Sequence, residues 1–395
     1  MDRTKCRSFN GYKPCSKNSE CSINCSYFEI PNVSILIVHL GAMGAVLRST
    51  SLLQSIKRKY PNSFITWVTE ECAKPLLLNN PFVDKVLTIT TRDLLTLSTL
   101  RFDIGFFIDK SPEIGGILKI TQPTKCFGFT VLPDNGAIVP LSSSALELWE
   151  IGLSNEKKFF DNKKTEIQLI AEALELPYLR DEYILTLTKD EEIVANVRRK
   201  EWSNNGSKII IGLNTGTSGI LPNKTIYLDV WIKIIKNISR KLNYLNSPIQ
   251  LVLLGGGSID QRRNEQILQQ CAGLDVVASP TLNGLRDGMC SVKAVDMVIT
   301  GDSLGMHMGI AFKKFVIAWF GPTCAHEIDL FDRGTKIESK LACSPCWKRN
   351  CEITESCNRT VDIEQIIQSI TMSELLKLQK QIKHSVLIDN GDNSF

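Results

Sequence analysis

Several features common in proteins of this size are missing from this 395-residue chain, and each absence closes off a class of function. The longest apolar runs, such as Phe315-Val-Ile-Ala-Trp-Phe320, fall far short of the roughly 20 residues that cross a bilayer. The first ten residues are polar and lack the apolar centre of a secretion signal, so a cytoplasmic protein with no membrane span is expected. A net charge of +4 is spread along the chain without a block of Lys and Arg, which argues against a nucleic-acid partner. There is no Asp-x-Asp, so no catalytic divalent ion bridging a diphosphate is expected. Nor is there a Gly-x-Gly-x-x-Gly, and without it a nicotinamide dinucleotide site is disfavoured.

Cysteine, by contrast, is plentiful, at 13 residues. In a reducing compartment clustered thiols more often hold metal than form disulfides. Eight fall into two groups: Cys6, Cys15, Cys21 and Cys25 in an N-terminal extension (1–30), and Cys343, Cys346, Cys351 and Cys357 in an element spanning 343–357. The second group contains one compact C-x-x-C pair, and its four thiolates suit a tetrahedral site for structural zinc or iron. Free thiols on a loop are the plainer alternative. The first group has wider gaps, and its role is left open. Cys72, Cys126, Cys271, Cys290 and Cys324 are scattered and read as small buried hydrophobes.

Short β-branched runs bounded by glycine recur at 33–38, 64–68, 104–108, 208–213, 249–254, 296–300 and 315–320, separated by helix-period stretches at 46–60, 228–241 and 260–271. This alternation predicts an α/β protein with parallel sheets and crossover helices. The pattern resets across a polar, helical interval between about 165 and 206. Two doubly wound, Rossmann-like domains facing a cleft are therefore expected, at 31–180 and 181–375, followed by a tail at 376–395.

Chemistry concentrates where the strands end. Val298-Ile-Thr-Gly-Asp-Ser-Leu-Gly-Met-His307 breaks at Thr300-Gly301-Asp302 and resumes as a helix from about Gly305. A helix N-terminus suits a diphosphate, while Asp302 is too acidic to face phosphate and suits sugar hydroxyls. Together they suggest a nucleotide sugar. Asn214-Thr-Gly-Thr-Ser-Gly219 follows another strand, with Lys224 downstream. Thr215, Gly216, Thr217 and Ser218 suit phosphate oxygens and Lys224 the diphosphate charge; a surface loop with a solvated lysine is the bland reading.

Taken in order, His39-Leu-Gly-Ala-Met-Gly-Ala-Val-Leu-Arg48, Asn214-Thr-Gly with Lys224, Thr300-Gly-Asp-Ser-Leu-Gly-Met-His307, Phe320-Gly-Pro-Thr323 and Cys343-Ser-Pro-Cys-Trp-Lys-Arg-Asn-Cys351 resemble glycosyltransferase family 9. The family comprises ADP-heptose-dependent lipopolysaccharide heptosyltransferases and autotransporter heptosyltransferases. The resemblance spans about residues 35–370. It implies a GT-B fold, an acceptor-binding N-terminal domain, a donor-binding C-terminal domain and an inverting transfer to a lipopolysaccharide-type glycan or a protein. It also implies iron on the C-terminal cysteines, Lys224 on the donor phosphates, Asp302 on the sugar, and Ser303, Leu304, Gly305, Met306 and His307 at the diphosphate end. His307 is equally readable as a structural donor. Members usually read Gly-Asp, the aspartate being the presumed base, where this chain has Gly44-Ala45. Asp109, at the end of the 104–108 strand, is the expected replacement, unless it pairs with Lys110 or caps the helix after Pro112. Two other classes stay open: a catalytically silent nucleotide-sugar-binding module, which Ala45 would explain, and a Rossmann-type oxidoreductase. The sequence leaves a homo-oligomer undecided.

Overall fold

The structure is a computed structural model describing residues 2–9, 11–244 and 248–371, so the expected 376–395 tail lies outside the described residues. The chain divides into two compact units, Met1–Lys158 with Glu166–Asp181, and Phe159–Thr165 with Glu182–Phe395.

Unit 1 holds a six-stranded sheet built from β1 (Val33–Val38), β2 (Ser63–Thr69), β3 (Lys85–Thr88), β4 (Ile104–Phe107), β5 (Lys125–Val131) and β6 (Ile138–Pro140). Its order is β3-β2-β1-β4-β5-β6, parallel except for the antiparallel β5–β6 edge. Unit 2 repeats the plan with β7 (Ile209–Asn214), β8 (Ile249–Leu254), β9 (Val276–Ala278), β10 (Met297–Gly301), β11 (Phe315–Phe320) and β12 (Gly334–Glu338). Its order is β12-β11-β10-β7-β8-β9, all parallel. In each sheet the strand order reverses beside the first strand, between β1 and β4 and between β7 and β10. At such a switch point the crossover helices diverge to opposite faces and leave a crevice beyond the carboxyl ends of the strands.

The central strands are apolar on both faces because helices cover both. Ile211, Leu213, Leu251, Leu253, Ile299 and Ile317 pack with Trp231, Ile234 and Ile238 of the helix Leu228–Tyr244 in one buried cluster. Each such side chain contributes about 1.5–3 kcal/mol by leaving water. The edge strands escape sequence reading for the opposite reason: Lys85-Val-Leu-Thr88 and Gly334-Thr-Lys-Ile-Glu338 are short and mix polar with apolar residues.

One expected helix is split. The 46–60 stretch forms two helices, Met43–Ser49 and Leu52–Lys59. Between them the Thr50 hydroxyl donates to the Leu47 carbonyl at 2.6 Å and the Ser51 hydroxyl to the Arg48 carbonyl at 2.9 Å, competing with the helical ladder.

Candidate functional site

At the switch point of unit 2, β7 ends in Asn214 and β10 in Thr300-Gly301. The buried Asn214 amide donates to the Gly216 carbonyl (2.9 Å), to the Thr300 hydroxyl (3.3 Å) and to the Ser303 hydroxyl (3.0 Å), binding the two strand ends into one corner. Ser303 caps the helix Leu304–Ala311: its hydroxyl accepts from the Met306 N–H at 3.4 Å, and its carbonyl accepts from the His307 N–H at 3.3 Å. The Leu304 and Gly305 N–H groups belong to the first turn, where no carbonyl of the helix itself can reach them.

Asp302 sits beside this corner, with Oδ2 at 2.7 Å from Lys224 Nζ; the side chains are 13% and 19% exposed. Burial pushes the Asp302 carboxyl upward, but the Lys224 ammonium and then His307 outweigh it and hold the group below the usual carboxylate range. The Asp302 carboxyl is therefore held ionised. Lys224 Nζ also stands 5.5 Å from the centroid of the Trp347 ring.

Trp347 ties the cysteine-rich element to this site. The Cys346 and Trp347 N–H groups both donate to the Pro322 carbonyl, at 3.1 and 2.9 Å. The Asn223 amide donates to the Lys348 carbonyl at 2.9 Å, and the Asn358 amide to the Thr225 carbonyl at 3.1 Å. The segment carrying Lys224 is thus held from both sides by residues of the 343–358 stretch. Sequence reading treats the two motifs as separate; their union is a product of tertiary contacts.

The C-terminal cysteines differ in setting: Cys357 is buried, Cys346 half-buried, Cys343 and Cys351 exposed. Burial, then the neighbouring Cys346, Cys351 and Cys343 thiols, push the Cys357 thiol up to about 11. The described residues whose ligand atoms converge within 4.8 Å of one another are others: Cys324, His326 and Glu327. Cys324, read from sequence as a plain buried hydrophobe, therefore belongs to a candidate metal-binding trio. Cys72, read the same way, is exposed.

In unit 1 the switch point lies just past β1 and β4. Asp109 Oδ2 accepts from the Leu40 N–H at 2.7 Å and the Gly41 N–H at 3.2 Å. The carboxylate thus fixes the loop after β1. It does not cap the helix Glu113–Thr121, which begins at Pro112 without a side-chain cap. Nearby, His39 is 5% exposed and its Nδ1 has no hydrogen-bond partner. Burial lowers His39 to about 4; Asp109 and Glu166 oppose this, while Arg48 and Lys110 add to it. Arg48 is 7% exposed and its guanidinium pairs with Glu166. For Glu166, burial raises the carboxyl, but Arg48, then Lys110, Lys158 and His39, hold it at about 2. Of this charged group, sequence reading singled out only Asp109; a histidine at the end of an apolar strand was the available signal.

Residues 163–356 match the model of glycosyltransferase family 9 (heptosyltransferase). The chain carries a glycosyltransferase family 9 domain. A family 9 glycosyltransferase from Veillonella parvula DSM 2008 shares its fold at a TM-score of 0.70 and 15% identity, over 89% of this chain and 99% of that one. E. coli ADP-heptose lps heptosyltransferase II follows at a TM-score of 0.59, 16% identity, and 88% and 99% coverage. E. coli heptosyltransferase WaaC with ADP gives 0.58, 13%, and 85% and 98%. No curated protein matches. The two doubly wound units have the GT-B fold.

Within this glycosyltransferase the expected donor residues divide. Lys224, Asp302, Ser303, Leu304 and Gly305 meet at the unit 2 switch point. Met306, 0% exposed, does not offer its side chain there; His307 is 5% exposed and stacks on Tyr183 with ring centroids 5.9 Å apart, yet lies near enough to Asp302 to help hold its carboxyl down. Nor is the Thr215 hydroxyl placed for phosphate; it is buried and donates to Asn264 Oδ1 at 2.7 Å. The Thr217 hydroxyl pairs with that of Thr225, which shapes the loop holding Lys224. Gly216 lies against Asp260, where an added Cβ would come within 2.2 Å of the carboxylate.

Gly305 is equally constrained: a Cβ there would stand 2.5 Å from Asn214 Cγ. Replacing Gly305 with alanine is expected to displace the Asn214 amide from Thr300 and Ser303 and to cost about 1–3 kcal/mol of stability. Chemical denaturation of wild type and variant checks this; an unchanged midpoint would show that the corner tolerates the methyl group.

Proposed function

We propose that this glycosyltransferase transfers heptose from ADP-heptose, with inversion at the anomeric carbon, to a hydroxyl of a lipopolysaccharide-core-type glycan or of a protein. The observation that carries the reading is the buried Lys224–Asp302 pair, 2.7 Å apart, beside the N-terminus of the helix Leu304–Ala311 at the switch point of unit 2. A diphosphate needs fixed positive charge and N–H donors, which Lys224 and the first turn supply. A sugar needs a hydroxyl acceptor, which Asp302 supplies. Two of the matched structures, one an ADP-heptose lps heptosyltransferase and one a heptosyltransferase with ADP, support that donor.

In this reading Asp109 takes the proton from the acceptor hydroxyl through the oxygen not held by the Leu40 and Gly41 amides. The acceptor oxygen then bonds to the anomeric carbon from the face opposite the diphosphate. The bond from that carbon to the phosphate oxygen breaks, and ADP leaves with its developing charge met by Lys224 and the helix terminus. Cys343, Cys346, Cys351 and Cys357 are proposed to hold structural iron or zinc. The crowding of three thiols on Cys357 is what a bound cation would relieve, and loading the site would brace Trp347 against Lys224.

Calorimetry of wild type and Asp302→Ala with ADP and with ADP-heptose tests the reading. Wild type is expected to bind ADP-heptose more tightly than ADP, and the variant to lose that difference while still binding ADP. If wild type binds neither, the donor assignment fails. Should the preference survive in Asp302→Ala, the sugar contact lies elsewhere.

A further inference from the structure

The first 32 residues do not fold by burying a core. Among the described residues of this segment the only helical turn is the three-residue Arg3–Lys5, and none of the side chains is buried. The segment is nevertheless anchored to unit 1. Arg7 donates to Glu29 at 3.0 Å, Asp84 at 2.6 Å, Asn62 at 2.8 Å and the Ser63 carbonyl at 3.0 Å, and its own N–H reaches the Glu29 carbonyl at 2.7 Å. Those bonds hold the rim of the segment. They leave its interior without the apolar burial that normally offsets about 1–2 kcal/mol of backbone entropy per ordered residue.

Cysteines occupy that interior. Cys6, Cys15, Cys21 and Cys25 all line one cavity, closed by Phe9 and Phe28. None of the four is in a disulfide. The Asn18 amide donates to Cys25 Sγ at 3.4 Å, the kind of N–H to sulfur contact that surrounds metal-bound thiolates. Four cysteines separated by eight, five and three residues thus converge on one space, although only the Cys21–Cys25 gap is as short as those of common zinc sites.

The spacing of the sulfurs points to the ligand. Four thiolates on one zinc at roughly 2.3 Å stand about 3.8 Å apart and leave no room between them. Here a cavity remains among the four side chains. A four-iron, four-sulfide core takes one cysteine thiolate at each of its four irons and so holds its sulfurs farther apart than a single ion does.

We propose that Cys6, Cys15, Cys21 and Cys25 form a second metal centre that binds an iron–sulfur cluster and staples the N-terminal segment to unit 1. Binding is ligand exchange on a preformed cluster: each cysteine thiol gives its proton to a departing simple thiolate ligand and bonds the iron that ligand leaves, and no electron is transferred.

The test uses full-length protein prepared without oxygen and reconstituted with a preformed four-iron, four-sulfide cluster that carries four simple thiolate ligands. It is carried in a Cys343→Ser, Cys351→Ser background, so that the C-terminal cysteines do not contribute metal. About four iron and four sulfide per chain are expected, with the broad visible absorption of iron–sulfur charge transfer. Adding Cys15→Ser or Cys21→Ser should remove most of both while far-ultraviolet circular dichroism stays close to that of the parent. A second readout does not depend on those variants: in the loaded protein, alkylation mapped by mass spectrometry should spare all four N-terminal cysteines, and removal of iron should expose them together. One zinc per chain without sulfide overturns the proposal, as do four N-terminal thiols that alkylate freely in reconstituted protein or pair as disulfides.

Discussion

Replacing Lys224 with alanine is expected to weaken ADP binding by on the order of 100-fold, because about 2–3 kcal/mol of charge-assisted contact is lost from a largely water-excluded position. The same change leaves Asp302 buried with its main compensating charge gone. Breaking a buried pair from one side costs about 3–5 kcal/mol, so Lys224→Ala is also expected to be markedly less stable than wild type. These two consequences are separable. The double variant Lys224→Met, Asp302→Leu removes both charges together and should recover much of the stability lost by Lys224→Ala. If Lys224 meets the donor phosphates, the double variant still fails to bind ADP in calorimetry. Were Lys224 only the counter-ion of Asp302, the double variant would bind ADP as wild type does. Lys224→Arg keeps the charge but not the compact ammonium that fits between Asp302 and the Trp347 ring, so intermediate affinity is expected.

The corner at the switch point of unit 2 was legible in sequence because strand-to-helix corners write themselves locally. An apolar run ending in Thr300-Gly301-Asp302, a capping Ser303 and a close-packed Gly305 all fall within six residues, and each obeys a short-range rule of backbone geometry. The strands that carry both sheets announce themselves by the same logic, since parallel strands buried on two faces must be apolar throughout. What sequence did not show is which hydroxyls are already taken. Thr215 reads as a phosphate ligand from its place in a loop, yet Asn264, 49 residues away, claims its hydroxyl. Met306 likewise follows a helix terminus in sequence but is fully buried in space. Long-range partnerships of this kind have no local signature. The same holds for the bond between the cysteine-rich element and the Lys224 loop, which rests on contacts such as Asn223 to Lys348, 125 residues apart.

The His39, Arg48 and Glu166 group belongs with these long-range features, and its effect is expected to appear as a two-step loss of stability in acid. His39 is held at about 4, below its ordinary 6.5, first by burial. The unfolded chain therefore takes up a proton that the folded one refuses, so this contribution is intact above pH 6.5 and is lost as pH falls toward 4. A shift of that size corresponds to about 3 kcal/mol once the window has been crossed. Glu166, held at about 2 against an ordinary 4.5 because Arg48 outweighs its burial, acts in the next window down: its contribution is present above pH 4.5 and lost as pH falls toward 2. Thermal melts across pH should then separate the two. His39→Gln cannot be protonated, and is expected to flatten the slope between pH 6.5 and 4 while leaving the lower window. Glu166→Gln should flatten the slope below 4.5 and lower stability at neutral pH, since Arg48 is then buried without its carboxylate. If His39→Gln melts with the same pH profile as wild type, the buried imidazole carries no proton linkage.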